Sequence, residues 1–171
     1  AIGKKATIIA GSGGNCTRES IAMTAAAAKR GVDAALLVVP YYNKPTQEGL
    51  YQHFKAIAES TSLPCILYNV PGRTVTNLAP ETAIRLSKVK NIIGIKEASG
   101  NLEQSAKIIM GAGKDFLVWS GNDGDTFAIM AMGGYGVISV ASHLVGKQLQ
   151  EMIQQVVKGK MKEAAANQMR L

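Results

Sequence analysis

The sequence is short of cysteine, of long apolar runs and of linker-like segments. It holds two cysteines, Cys16 and Cys65. These cannot build a disulfide framework, and they fit a reducing, cytoplasmic setting better than an extracellular one. No apolar run reaches the 18 or more residues of a transmembrane candidate, so no membrane partner is expected. The opening Ala1-Ile2-Gly3-Lys4-Lys5 runs straight into a strand-like stretch without a signal-peptide pattern. No low-complexity linker divides the chain, which leaves a single domain over residues 1–171 as the expectation. What is present is globular in composition: 171 residues, 47% hydrophobic and 18% charged, enough for one core.

Acidic residues are the scarcer sign, 12 against 19 lysines and arginines, for a net charge of +7. A basic balance alone suggests an acidic partner such as nucleic acid. Its distribution argues otherwise. Residues 1–30 carry +4, residues 31–146 carry nine charges of each sign, and residues 147–171 carry +3. The surplus sits at the two ends, Lys158, Lys160 and Lys162 read as a solvated helix face, and no recognition motif accompanies them. No nucleic-acid partner is expected.

One pattern recurs six times: a short apolar run, a polar loop, then a helical stretch. The runs occupy 6–10, 34–39, 64–70, 91–95, 116–119 and 136–140. They are short, rich in β-branched residues and not alternating, as in parallel strands buried on both faces. Between them, Leu50, Phe54, Ile57 and Ala58 make one helical stripe, with Pro45-Thr46 as its start. Pro80 suits a first helical position, and Asn101 can cap a helix through Gln104. Leu149, Met152, Ile153 and Val156 mark a later amphipathic helix. Gly31, Gly111 and Gly159 are plausible helix stops. Alternating βα units imply an α/β fold, either a doubly wound sheet or a (β/α)8 TIM barrel. A barrel spends roughly 31 residues per unit, so the length corresponds to about six units rather than eight. The chain is therefore either an open sheet or part of a barrel.

Ligands bind at the carboxyl ends of strands in both architectures, and polar residues collect there. The most pointed is Lys96, after Ile92-Ile93-Gly94-Ile95. It either snorkels to solvent or stands desolvated, with a lowered ammonium pKa, as an amine able to attack a carbonyl and form a Schiff base. Tyr68 ends the third run and is either a core aromatic or a proton shuttle. Arg73, in a Pro-Gly loop five residues on, is either a surface arginine or a bidentate carboxylate clamp. Other signals fail. Gly11-Ser12-Gly13-Gly14-Asn15-Cys16 lacks the third glycine of a dinucleotide fingerprint. Asn122-Asp123-Gly124-Asp125 lacks calcium-loop spacing. His53, His143 and the dispersed cysteines make no zinc set, so no metal is expected. No serine occupies a nucleophile elbow.

Taken together, several segments carry a resemblance: Ala10-Gly11-Ser12-Gly13-Gly14-Asn15, Pro40-Tyr41-Tyr42-Asn43-Lys44-Pro45-Thr46-Gln47-Glu48-Gly49-Leu50-Tyr51, Tyr68-Asn69-Val70-Pro71-Gly72-Arg73-Thr74, Gly94-Ile95-Lys96-Glu97-Ala98 and Gly136-Val137-Ile138-Ser139-Val140. Over essentially its whole length the chain resembles the dihydrodipicolinate (4-hydroxy-tetrahydrodipicolinate) synthase family of pyruvate-dependent Schiff-base lyases. The resemblance implies a (β/α)8 barrel represented by its third to eighth βα units, without the first two units and a C-terminal helical extension. It implies condensation of pyruvate with L-aspartate 4-semialdehyde in lysine and diaminopimelate synthesis, without a cofactor. Lys96 matches the Schiff-base lysine, and Tyr68 and Tyr42 match relay tyrosines, Tyr42 reaching into a neighbouring subunit. Arg73 matches the arginine that holds the semialdehyde carboxylate, and Ile138 a residue whose carbonyl faces pyruvate. Asn15, Glu19 and Tyr41 match part of a site where lysine binds as a feedback inhibitor. A homotetramer, built as a dimer of dimers, is implied for full-length members.

The chain also departs from that pattern. The family's Gly-Thr-Thr-Gly-Glu-type loop, which supplies a relay threonine and groups for the pyruvate carboxylate, has no counterpart here. Asn122 stands where an aspartate is common. The chain alone is therefore expected to turn over poorly. Related pyruvate aldolases, such as N-acetylneuraminate lyase, share the lysine and the tyrosine, and an inactive paralogue is a further reading.

Overall fold

The computed structural model describes residues 5–171; residues 1–4, at the start of the opening segment, lie outside the described residues. Each apolar run yields a strand: β1 (Ile9–Gly11), β2 (Ala34–Val38), β3 (Cys65–Asn69), β4 (Ile92–Glu97), β5 (Leu117–Ser120) and β6 (Gly136–Val137). Every neighbouring pair is parallel, and spatial order follows chain order. That order decides between the two architectures. A doubly wound sheet reverses at a switch point, whereas an in-order parallel sheet is the wall of a (β/α)8 barrel. The described residues thus form a partial barrel with β1 and β6 as its edges.

The helices return the chain between strands: α1 (Thr17–Lys29), α2 (Gln47–Glu59), α3 (Pro71–Thr74), α4 (Pro80–Leu86), α5 (Leu102–Gly111), α6 (Thr126–Ala131), α7 (Ser142–Val157) and α8 (Met161–Gln168). Their starts follow local chemistry. The Thr46 hydroxyl accepts the Gly49 amide at 3.1 Å, and the Asn101 side chain accepts the Gln104 amide at 3.0 Å. Pro80 takes the first position of α4. Gly31 and Gly159, both at φ +73°, follow the C-caps of α1 and α7 in the left-handed conformation that glycine adopts without strain. The stop of α5 falls elsewhere than expected. Gly111 is the last helical residue, and the left-handed glycine is Gly113 at φ +79°. Gly111 is small for a different reason: a Cβ there would collide with the Ile84 side chain of α4.

The core lies between the sheet and the helix layer. Ala35, Leu37, Cys65, Leu67, Ile95 and Val118 point outward from the strands to meet Leu50, Phe54, Ile57, Leu86 and Ile108. Leu50, Phe54 and Ile57 are fully buried, and each such side chain contributes about 1.5–3 kcal/mol through removal from water. A second cluster pairs Leu149 and Met152 of α7 with Ala164 of α8. On the opposite face Ile66, Gly94 and Lys96 are buried, whereas Leu36, Val38, Leu117 and Trp119 are half-buried among the described residues.

Candidate active site

Strand geometry assembles the site. Successive side chains alternate between faces; since Leu67 and Ile95 point to the helices, Tyr68 and Lys96 point into the lumen. The β3–β4 register pairs Tyr68 with Lys96 directly, and the β4–β5 register pairs Lys96 with Trp119. Lys96 is 8% exposed, and its ammonium lies 4.4 Å from the centroid of the Tyr68 ring. It does not snorkel. Among the described residues it makes no ion pair. Burial pulls its pKa below the ordinary lysine value, and the Arg73 charge adds to that; the Asp123 charge opposes them. The result is an amine with an enlarged neutral fraction, which is the nucleophilic form.

The far side of Lys96 is made by backbone. A Cβ on Gly121 would fall 3.0 Å from Lys96 Cε, 3.1 Å from its Cγ and 2.6 Å from the Ala98 Cβ. Gly121 therefore leaves the channel along which the lysine chain runs. Two residues on, Asp123 faces the amine electrostatically and also organises the next loop. Its carboxylate accepts a hydrogen bond from the Ser139 hydroxyl, and the amides of Val140 and Ala141 at 3.1 and 3.0 Å. Burial alone would raise this carboxyl, but those hydrogen bonds and the Lys96 charge hold it below the usual value. Ile138 enters the same loop, its amide bonded to the Ser120 carbonyl at 2.9 Å.

Arg73 lies on the short helix α3, which opens at Pro71 and ends at Val75 in the left-handed region, φ +61°. It is exposed on the rim, near enough to influence Lys96. Tyr42 goes elsewhere. It is 88% exposed, with a left-handed φ of +73°, and turns to solvent on the loop after β2. Asn15 and Tyr41 are brought together, the Asn15 side chain donating to the Tyr41 carbonyl at 3.2 Å. Glu19 is exposed in the first turn of α1. The structure thus gathers Tyr68, Lys96, Arg73 and Ile138 around the lumen and sets Asn15 and Tyr41 together on neighbouring loops.

Sequence reasoning missed Gly121 and Asp123 as parts of the site. Their signal was the polar strand end Ser120-Gly121-Asn122-Asp123, which reads as one of the ligand-facing strand ends and fails as a calcium loop, without a role for either residue. Among the described residues, no group of three His, Cys, Asp or Glu side chains converges as a metal site. His53 is buried on α2, with Nδ1 2.8 Å from the Thr17 hydroxyl and its pKa pushed down to about 4 by burial. No helix of the described residues is long and apolar enough to cross a membrane.

An in-order parallel sheet of six strands with helices between them places the chain among (β/α)8-barrel proteins, and its lumen carries the buried amine of Lys96. It belongs to the Dihydrodipicolinate synthetase family, which it matches over residues 1–171. It is 63% identical over 166 residues to a 4-hydroxy-tetrahydrodipicolinate synthase of Dehalococcoides mccartyi, covering 97% of this chain and 56% of that one. The chain thus spans little more than half the length of that relative. Among solved structures, the dihydrodipicolinate synthase of Acinetobacter baumannii complexed with pyruvate superposes with a TM-score of 0.94 at 46% identity, over 98% of this chain and 57% of that one. The enzyme of Cyanidioschyzon merolae with lysine bound gives 0.92 at 48% identity, over 95% and 55%.

Proposed function

We propose that this chain carries the Schiff-base half of a 4-hydroxy-tetrahydrodipicolinate synthase, a lyase that condenses pyruvate with L-aspartate 4-semialdehyde. The observation that carries this reading is the placement of Lys96: buried, facing the lumen, and 4.4 Å from the ring of Tyr68. Its neutral amine attacks the pyruvate ketone, and loss of water leaves an iminium on Nζ. The iminium is an electron sink next to the pyruvate methyl group, so a methyl proton becomes removable and an enamine forms. The enamine carbon then attacks the semialdehyde carbonyl, making the new carbon–carbon bond. The covalent adduct supplies the electronic assistance that a cofactor would otherwise bring.

Tyr68 is the proton carrier at that adduct, its phenol standing on the strand next to Lys96. Arg73, on the rim, offers the bidentate fork for the semialdehyde carboxylate. The Ile138 carbonyl closes the pyruvate side. The exposed Tyr42 suits a role completed in a second subunit, in a homo-oligomer of the dimer-of-dimers kind. Asn15, Glu19 and Tyr41 are the proposed lysine-responsive corner, and the setting is cytoplasmic. The pyruvate and lysine complexes of the two structural relatives support both ligand classes. Because the sequence holds no Thr-Thr loop to link the tyrosines, the chain alone is proposed to form the adduct yet turn over slowly.

Reduction with borohydride in the presence of pyruvate tests this reading. A stable mass increase that depends on pyruvate is expected. A chain left unchanged in mass would contradict it.

A further inference from the structure

One residue beyond the reacting pair, β3 and β4 present a second polar pair to the opposite face. The register that joins Tyr68 to Lys96 also joins Asn69 to Glu97, and both of the latter are buried, at 0% and 1% exposure. Asn69 Nδ2 donates to the two Glu97 carboxylate oxygens at 3.3 and 3.1 Å. Gln104 Nε2 of α5 donates to the same carboxylate at 3.1 Å, and the Ser99 amide at 2.7 Å. Among the described residues, Glu97 has no cationic partner within ion-pair distance. The cluster also reaches the segment that follows Arg73. Asn77 Oδ1 accepts from Asn69 and Gln104 at 2.8 and 3.2 Å, and Asn69 Oδ1 accepts the Leu78 amide at 2.9 Å.

A buried carboxylate held only by neutral donors is a costly way to fill space, and an apolar side chain of similar size would serve packing better. What the cluster adds is direction. Hydrogen bonds fix the separation and rotation of strand ends within a few tenths of an ångström, where apolar contacts slide. Because side chains alternate, anything that sets Asn69 against Glu97 also sets Tyr68 against Lys96.

We propose that Glu97, tied to Asn69, Asn77 and Gln104, is a positioning residue that sets the spacing of Tyr68 and Lys96 and anchors the Arg73 loop to the same strand ends. This rests on the reading of Lys96 as the Schiff-base lysine. Glu97 touches no substrate and acts through its neighbours.

The test is borohydride trapping by the 171-residue chain at saturating pyruvate across a pH series, with folding followed by circular dichroism. Glu97→Gln keeps the shape but turns an amide toward donors already aimed at the site. Gln104→Ala removes one donor from the carboxylate. Among folded molecules, trapping is expected to slow about tenfold in E97Q and about threefold in Q104A, since small misplacements are costly to reaction. The pH midpoint of trapping is expected to rise as the strand end loosens and water reaches the Lys96 amine, with Asp123 and Arg73 still facing it. Wild-type rates and midpoint in folded variants would overturn the positioning role and leave the Lys96 reading standing. A wild-type chain that traps no pyruvate would overturn the Lys96 reading and this one with it. If E97Q does not fold, Q104A carries the test. Loss of folding in Q104A too would make the cluster a folding element and overturn the proposal.

Discussion

The two faces of β3 and β4 are built on opposite terms. On the helix face, Asn69 and Glu97 are fully buried, and their side-chain polar atoms are engaged by neighbours. On the lumen face, one residue away in each strand, Lys96 is buried with an aromatic ring rather than a carboxylate beside its ammonium. The first face spends hydrogen bonds on rigidity. The second leaves an amine without an ion pair, and that amine is the more reactive for it. The supporting hydrogen bonds and the reacting groups thus stand one residue apart in strand alternation, and each substitution below tests that division.

The largest effect is expected at the amine itself. Lys96→Met should abolish pyruvate adduct formation while the chain keeps or raises its melting temperature, because burying a charged amine is unfavourable. The linkage has a defined sign. The folded-state pKa of Lys96 is lowered, so between that value and the unfolded one the unfolded chain binds the extra proton. Wild-type stability relative to the Met variant should therefore rise with pH across that window, as thermal melts at several pH values would show. A Met variant that loses much of its stability would break the contrast between the faces.

Tyr68→Phe comes next. It keeps the ring under the ammonium and removes the hydroxyl. Exchange of the pyruvate methyl protons for deuterium, followed by NMR, should slow by about 10²-fold, while the melting temperature barely moves. Gly121→Ala works on the channel wall. Its Cβ would meet the Lys96 and Ala98 side chains. Trapping should fall about tenfold, at a stability cost of about 1–3 kcal/mol by denaturant titration. The smallest chemical effect relative to its structural one belongs to the helix face. Asn69→Leu leaves the Leu78 amide without its acceptor and takes one donor from the Glu97 carboxylate, and should cost about 2–4 kcal/mol. Its adduct yield per folded molecule should fall less than that of Tyr68→Phe.

Much of the framework could be read before any coordinates. Strand positions, the caps at Thr46 and Asn101, Pro80 and the stripe on α2 follow from local periodicity and turn chemistry, which a sequence displays directly. Lys96 stood out because a lysine followed an apolar strand run, Ile92-Ile93-Gly94-Ile95. Other features depend on which segments meet. The Glu97 cluster joins residues from β3, β4, α5 and the loop after α3, and no spacing rule announces that convergence. Gly111 looked like a helix stop, yet it is small because α4 crosses it at Ile84. The sixth run, 136–140, pairs as a strand over only Gly136–Val137. Its remaining residues are drawn away by the Asp123 carboxylate, which caps Ser139, Val140 and Ala141.

The central claim is that Lys96 is the amine that takes pyruvate. Peptide mapping after borohydride reduction with pyruvate addresses it most directly, since the chain offers other lysines as internal controls. The account predicts the reduced pyruvate adduct on the peptide containing Lys96, with the exposed lysines unmodified. An adduct spread over surface lysines, or absent from Lys96, would contradict it.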